Sequence, residues 1–345
     1  MSDCIASEND FLDLLDHYFG LSTPHQLTLR GDDCAELAMP EAICLSSDLF
    51  LEDVHFRTAY FSFYELGHKA LAVNLSDLAA AGASPLGFNM NLSLPPHTLR
   101  QSVEELLAGM SALAARFHLP LTGGDLSAGQ KLGLCITIWG ERAGPKFLRR
   151  GGCRPGDTLF IAADSLPLPL GLPRAALHCL EKTGRAASLA ELPEACRRHF
   201  LPNPLVKVGM AIARLAPGTS LMDLSDGLAR DLPRLLGCDR PASKTSQPAG
   251  PGAEIVLPQE LLHPELLAWC RQESKSGPCL DAMEEALLGG EDYLLLGSTN
   301  QPELLPSIEA ASGAHCLVIG RVREEGGLIL NGRAFSQGGF DHFGG

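Results

Sequence analysis

The chain has 345 residues, and several familiar patterns are missing from it. It has no run of ~18 apolar residues without breakers, so no membrane-spanning helix is expected. The longest apolar candidate, "LPLPLGLP" (166–173), is cut by three prolines. The start, "MSDCIASENDFLDLLDHYF", is acidic and amphipathic; it lacks the basic and apolar regions of a secretory signal, and a cytoplasmic protein is expected. There is no C-x-x-C pair among eleven cysteines, an odd number without zinc-site or disulfide spacing. Reduced, mostly buried thiols follow, and no Cys stands in a motif with His and Asn/Asp. There is no basic run, and the formal net charge is −14, which argues against nucleic acid. No G-x-x-x-x-G-K-[ST] and no G-x-G-x-x-G after a strand supplies a phosphate cradle. No EF-hand loop is present.

What is present reads as two domains, since one core rarely serves so long a chain. Ser7 and Asp10 form a possible capping box before a helix over 7–19. "GDDCAEL" (31–37) is a turn, and 42–56 starts as a strand and ends as a loop. A long helix over 64–83 is stopped by Gly82 and Pro85. In 86–94, Leu86, Phe88, Met90, Leu92 and Leu94 alternate with polar residues or glycine, the pattern of a half-buried strand. Residues 98–119 have helical spacing, 121–129 is a Gly-rich turn, and 131–142 is a strand. A boundary falls in "AGPKFLRRGGCRPGD" (143–157), dense in Gly, Pro and Arg, giving domains 1–143 and 144–345. A second series of strands and helices follows, interrupted by a Pro/Ser/Gly-rich surface insertion at 238–252. The expected class is α+β, with helices packed on one face of each sheet.

Five short segments share a character: "GDD" (31–33), "SSD" (46–48), "NLSD" (74–77), "GGD" (123–125) and "DLSDG" (223–227). Each sets a carboxylate at the end of an apolar element, beside Gly or Ser. One Asp in a turn is ordinary turn chemistry, and Asp77 has a second reading as a buried acid paired with Lys69, two helical turns earlier. Five such segments, with Asp32, Asp33, Asp48, Asp77, Asp125, Asp223 and Asp226, point to a shared partner. Their companions are hydroxyls, so hard oxygen donors predominate; these suit Mg²⁺ or Ca²⁺ over zinc or copper. Mg²⁺ held together with a phosphorylated ligand is the better choice. Cations bridging carboxylates to phosphate oxygens also reconcile an acidic protein with an anionic ligand.

In order, "GDDCAEL", "SSDLFLEDVHF", "KALAVNLSDLAAAGASP", "TGGDLSAG", "FLRRGGCRPGD", "DLSDGLARDL", "GGEDY" and the terminal "GFDHF" resemble the thiamine-monophosphate kinase family, over nearly the whole chain from Gly31 to Phe343. The resemblance implies the aminoimidazole-ribonucleotide-synthetase-like fold. Its N-terminal domain binds ATP and Mg²⁺ and dimerises through its sheet, and its C-terminal α/β domain adds nucleotide and substrate contacts. It implies the last step of thiamine diphosphate biosynthesis: ATP and thiamine phosphate give ADP and thiamine diphosphate by direct in-line transfer. By motif, Asp33, Ser46, Ser47, Asp48, Asp77, Asp125, Asp223 and Asp226 would hold Mg²⁺. Asp33, Asp48, Asp77, Asp125 and Asp226 would be the ones that assist phosphoryl transfer. Gly124, Asp125, Arg150 and Ser225 would contact ATP, and His55, Glu291 and Phe340 would shape the thiamine phosphate pocket. A homodimer is implied.

The chain departs from the family pattern in places. Ser47 stands where Thr is usual, Phe340 where Tyr is usual, "DSLPLPLGLP" replaces a Gly-rich turn, "GGEDYLLL" lacks an acid that often follows Tyr, and the 238–252 insertion has no counterpart. None of these removes a proposed metal ligand. Two other readings stand beside this one. The first is another ATP-dependent enzyme of the superfamily, although residues 1–30 hold Cys4 and no lysine, which weighs against selenophosphate synthetase. The second is a non-catalytic nucleotide-sensing protein on the same scaffold, which need not keep the complete set of acidic turns.

Overall fold

The computed structural model describes residues 4–5, 7–20, 33–237, 250–276 and 280–335. Asp32, Phe340, the "GFDHF" segment and most of the 238–252 insertion lie outside the described residues. The chain divides into two compact units, 1–78 with 84–142, and 79–83 with 143–345. Each carries one mixed sheet with helices, so the class is α+β.

The first unit contains α1 (Glu8–Phe19), β1 (Ile43–Leu51), α2 (Phe63–Ala80), β2 (Ala83–Leu94), α3 (Arg100–Arg116), β3 (Leu121–Ala128) and β4 (Gly133–Arg142). Its strand order is β1-β4-β2-β3, with β1 antiparallel to β4 and β2 parallel to β3. Ser7 caps α1 by accepting the Asp10 N–H at 3.2 Å. Helix α2 is apolar on nearly every side; Leu66, Ala70, Leu71, Leu75 and Leu78 are all buried, so the helix runs through the core rather than along a surface. It lies unusually close to α3. A Cβ at Gly67 would sit 1.8 Å from the Leu106 carbonyl oxygen, and one at Gly109 would sit 1.9 Å from that of Tyr64. Glycines on both helices let their backbones meet. The expected alternation in β2 is present: Leu86, Phe88, Met90, Leu92 and Leu94 are buried and Asn91 is exposed.

Residues 121–129, expected as a Gly-rich turn, are a strand instead. The glycines are there for a close approach, because a Cβ at Gly124 would lie 1.8 Å from the Met90 carbonyl oxygen. Gly123 and Gly124 pair with Asn89 and Met90, just after a register shift in β2. The polar, glycine-rich composition reflects an edge strand with little to bury.

The second unit contains β5 (Thr158–Ala163), α4 (Leu172–Thr183), α5 (Arg185–Glu191), α6 (Pro193–Phe200), α7 (Val206–Leu215), β6 (Ser220–Asp223), α8 (Leu228–Leu236), β7 (Gly252–Ile255), α9 (Pro264–Ser276), α10 (Ala282–Leu288), β8 (Leu295–Thr299), α11 (Leu305–Ser312), β9 (His315–Arg323), β10 (Leu328–Leu330) and β11 (Arg333–Phe335). The strands form one sheet in the order β11-β10-β7-β9-β5-β8-β6. Strand β5, "TLFIAA", is buried at every position, as expected for a central strand. Among the described residues, no helix is long and apolar enough to cross a membrane.

Candidate active site

In the first unit, β1 and α2 bring three of the expected residues into contact. Successive side chains on a strand point to opposite faces, so Ser46 and Asp48 share the half-buried face of β1 while Ser47 lies on the other. Asp77 comes from the last turn of α2. The Ser46 hydroxyl donates a short hydrogen bond to Asp77 Oδ2. Burial first, and the adjacent Asp77 carboxylate second, push the Asp48 carboxyl up to about 6. Asp77 also sits where the helix dipole is negative, with no basic residue in that last turn to offset it. Two carboxylates and a helix C-terminus therefore repel one another, and a proton or a cation relieves the repulsion. Ser47 is placed differently, its Oγ 2.9 Å from Thr137 Oγ1 on β4.

Asp33, Gly124 and Asp125 line a groove of about 880 Å³ over the other face of this sheet, with Phe11 and Leu15 of α1, Asn91 of β2 and Trp139 of β4. Asp33 and Asp125 are both exposed, and Ser127 Oγ donates to Asp125 Oδ2 at 3.0 Å. His55 lies in the turn after β1, where its Nδ1 accepts the Leu51 N–H at 3.0 Å; one ring nitrogen is thus committed to the backbone. Lys69 is fully buried, its ammonium 5.3 Å from the centre of the Phe61 ring.

In the second unit, the "DLSDG" turn joins β6 to α8. Asp223 ends the strand and is nearly buried. Ser225 and Asp226 donate their backbone N–H groups to Asp231 Oδ2 at 3.1 and 2.9 Å, which shapes the turn. Arg234 bonds Asp226 and lies 2.8 Å from Asp231 Oδ1, so one guanidinium holds both carboxylates. Burial raises the Asp231 carboxyl to about 6 despite the N–H of Asp226. The expected Glu291 meets this turn: its N–H donates to the Ser225 carbonyl at 2.8 Å, and the Tyr293 N–H donates to Leu224 at 2.8 Å. Gly227 and Gly290 permit that approach, since a Cβ at either would lie under 3 Å from the opposing backbone. Arg150 is exposed and sits elsewhere. Arg149 bridges Ser220 at the start of β6, and the Gly151 N–H donates to Leu235 near the end of α8. Arg150 is thus at the far end of this strand–helix pair from Ser225.

Asp231, Arg234 and Thr137 were not singled out from the sequence. Asp231 had a local signal: an acid in the first turn of a helix after a glycine, where free backbone N–H groups want an acceptor. Among the described residues, no three His, Cys, Asp or Glu side chains converge tightly enough to hold an ion alone. A pair of carboxylates is nevertheless ordinary for Mg²⁺, which commonly completes its shell with phosphate oxygens and water.

Residues 31–141 match the family model "AIR synthase related protein, N-terminal domain". That match and the likeness of the fold place the chain among AIR synthase-related proteins. A thiamine-monophosphate kinase from Bacillus subtilis (strain 168) is 31% identical over 303 residues, 86% of this chain and 85% of the relative. The crystal structure of a thiamine-monophosphate kinase from Stenotrophomonas maltophilia K279a superposes with a TM-score of 0.76 at 28% identity, covering 94% of this chain and 96% of that one. AaThiL complexed with AMPPCP and TMP gives 0.71 at 26% identity, with 97% of each chain covered. The chain belongs to the thiamine-monophosphate kinase family and is an enzyme of that family.

Proposed function

We propose that the chain transfers the γ-phosphoryl group of ATP in line to thiamine phosphate, giving ADP and thiamine diphosphate. The observation that carries this is the Asp48–Asp77 pair with its Ser46 donor, two carboxylates and a hydroxyl that form a hard-oxygen donor set. The related AaThiL, complexed with AMPPCP, an ATP analogue, and TMP, supports the two substrates. Mg²⁺ fits this donor set; bound there, it would offset charge on phosphate oxygens. Ser46, Asp48 and Asp77 would hold one such ion; Asp33 and Asp125, with Ser47 on their side of the sheet, and Asp223 and Asp226 in the second unit, would serve further ions. Asp231 and Arg234 orient Asp226 and the N–H groups of its turn. Gly124 and Ser225 would approach ATP through the backbone, and Arg150, at the far end of β6 and α8 from Ser225, would meet a different part of the nucleotide. His55, Glu291 and Phe340 would serve the thiamine phosphate.

Phosphoryl transfer asks mainly for positioning and charge neutralisation. A phosphate monoester has its second pKa at about 6, so the acceptor is already largely ionised near neutrality. No strong general base is needed, which agrees with a site made of carboxylates and hydroxyls. The enzyme is proposed to be a cytoplasmic homodimer. The outer face of β1 supports a second copy as its cover: Leu45 and Leu49 there are 62% and 59% exposed, beside Ile43. The test is an endpoint assay with ATP, Mg²⁺ and either thiamine phosphate or free thiamine. ADP and thiamine diphosphate should form from the first, and free thiamine should stay unphosphorylated. Folded protein that makes no product from thiamine phosphate would remove the assignment.

A further inference from the structure

Glu291 is held with unusual care. It and Tyr293 both have positive φ, 64° and 50°, a conformation that side-chain-bearing residues avoid. Backbone bonds from both residues to the "DLSDG" turn fix the segment, and between them the buried Asp292 carboxylate accepts the Gly171 N–H at 2.8 Å. The side chain is held too. His199, on α6 and 2% exposed, places Nδ1 3.0 Å from Glu291 Oε2. The approach is one of charge and packing: it lies within ion-pair distance, but Nδ1 is not aligned for a hydrogen bond to the carboxylate. The preceding residue braces the helix on another side: Arg198 reaches Asp164 at 2.9 Å, Ser165 at 2.8 Å and Glu194 at 2.8 Å. Adjacent residues of one short helix thus grip the loop after β5 and the Glu291 side chain.

We propose that His199 is a positioning residue for substrate binding, its buried ring lying against one oxygen of Glu291 so that the carboxylate is pre-aimed at the cationic part of thiamine phosphate. This rests on the reading of the site given above. Pre-aiming removes a rotamer search from the binding step. It should therefore act on affinity for thiamine phosphate and leave the phosphoryl-transfer rate alone.

The experiment compares wild type, His199→Leu, His199→Asn, His199→Gln and Glu291→Gln. It reads kcat, KM for each substrate, and Kd for thiamine monophosphate by titration calorimetry. His199→Leu should raise KM and Kd for thiamine monophosphate about tenfold, with kcat and KM for ATP within about twofold. The Asn amide can occupy the Nδ1 position, so His199→Asn should bind within about threefold of wild type and His199→Gln should not. Adding Glu291→Gln to His199→Leu should cost little more. A folded His199→Leu with wild-type Kd would overturn the inference. So would KM values for both substrates rising together, or Asn and Gln variants that are equally impaired. Should the Leu variant not fold, the Asn–Gln contrast alone decides. Wild type that does not turn over thiamine phosphate would sink the reading of the site itself, before any variant is compared.

Discussion

Replacing Asp77 with Asn should make the metal-free enzyme more stable at pH 8 while abolishing most of its activity. Asp48 is raised from 3.8 to about 6 by burial and by Asp77. A carboxyl raised on folding binds its proton more readily in the native state than in the unfolded one. Its contribution is complete below pH ~4 and is lost as pH rises through about 6. At full weight the shift corresponds to ~3 kcal/mol, but solvent reaches part of the pair and ~2 kcal/mol is a fairer figure. Burial is the larger cause and survives the substitution, so removing the Asp77 charge should return ~1 kcal/mol at pH 8. That is a rise of roughly 2–4 °C in Tm for a domain of this size. The Asn oxygen can still accept from Ser46, so the local geometry persists. At pH 5 the pair already carries a proton and the gain should vanish. Mg²⁺ should raise the Tm of wild type at pH 8 and leave the variant nearly unchanged. Thermal melts at pH 5 and 8, each with and without Mg²⁺, read all four quantities. A variant destabilised equally at both pH values, and stabilised by Mg²⁺ as much as wild type, would refute the argument.

Asp231→Ala should strip an acceptor from two backbone N–H groups and leave Arg234 half-paired, lowering stability by about 2–3 kcal/mol in denaturant melts. The exposed acid Glu325, changed to Gln, should shift the same melt by less than ~0.5 kcal/mol. Gly67→Ala would drive a methyl group into the Leu106 carbonyl and separate α2 from α3. A loss of about 3 kcal/mol or an unfolded first unit is expected by circular dichroism, against the small gain that Ala brings at an open helical site.

The elements that read clearly were those whose signal is local. The alternation of Leu86 to Leu94 marks β2, and the periodicity of Val103, Leu106, Met110 and Leu113 marks α3. Residues 121–128 misled because glycine-rich strands and glycine-rich turns have the same composition; only the approach of Gly124 to Met90 tells them apart. Helices α5 and α6 were not expected, and with them His199 went unnoticed. Its relation to Glu291 spans 92 positions and leaves no mark on either neighbourhood.

The acidic segments themselves, their hydroxyl companions and the preference for a hard cation are properties of residue types, and the sequence alone determined them. Their grouping is a property of the fold. Strand pleating puts Ser46 and Asp48 on one face and Ser47 on the other, and helix α2 delivers Asp77 to the first two. The backbone contact between Glu291 and Ser225 is likewise made by chain segments 66 residues apart. Short-range preferences set the elements because each backbone dihedral responds to its neighbours. Contacts between distant segments depend on how whole elements pack, and no window of sequence contains that information.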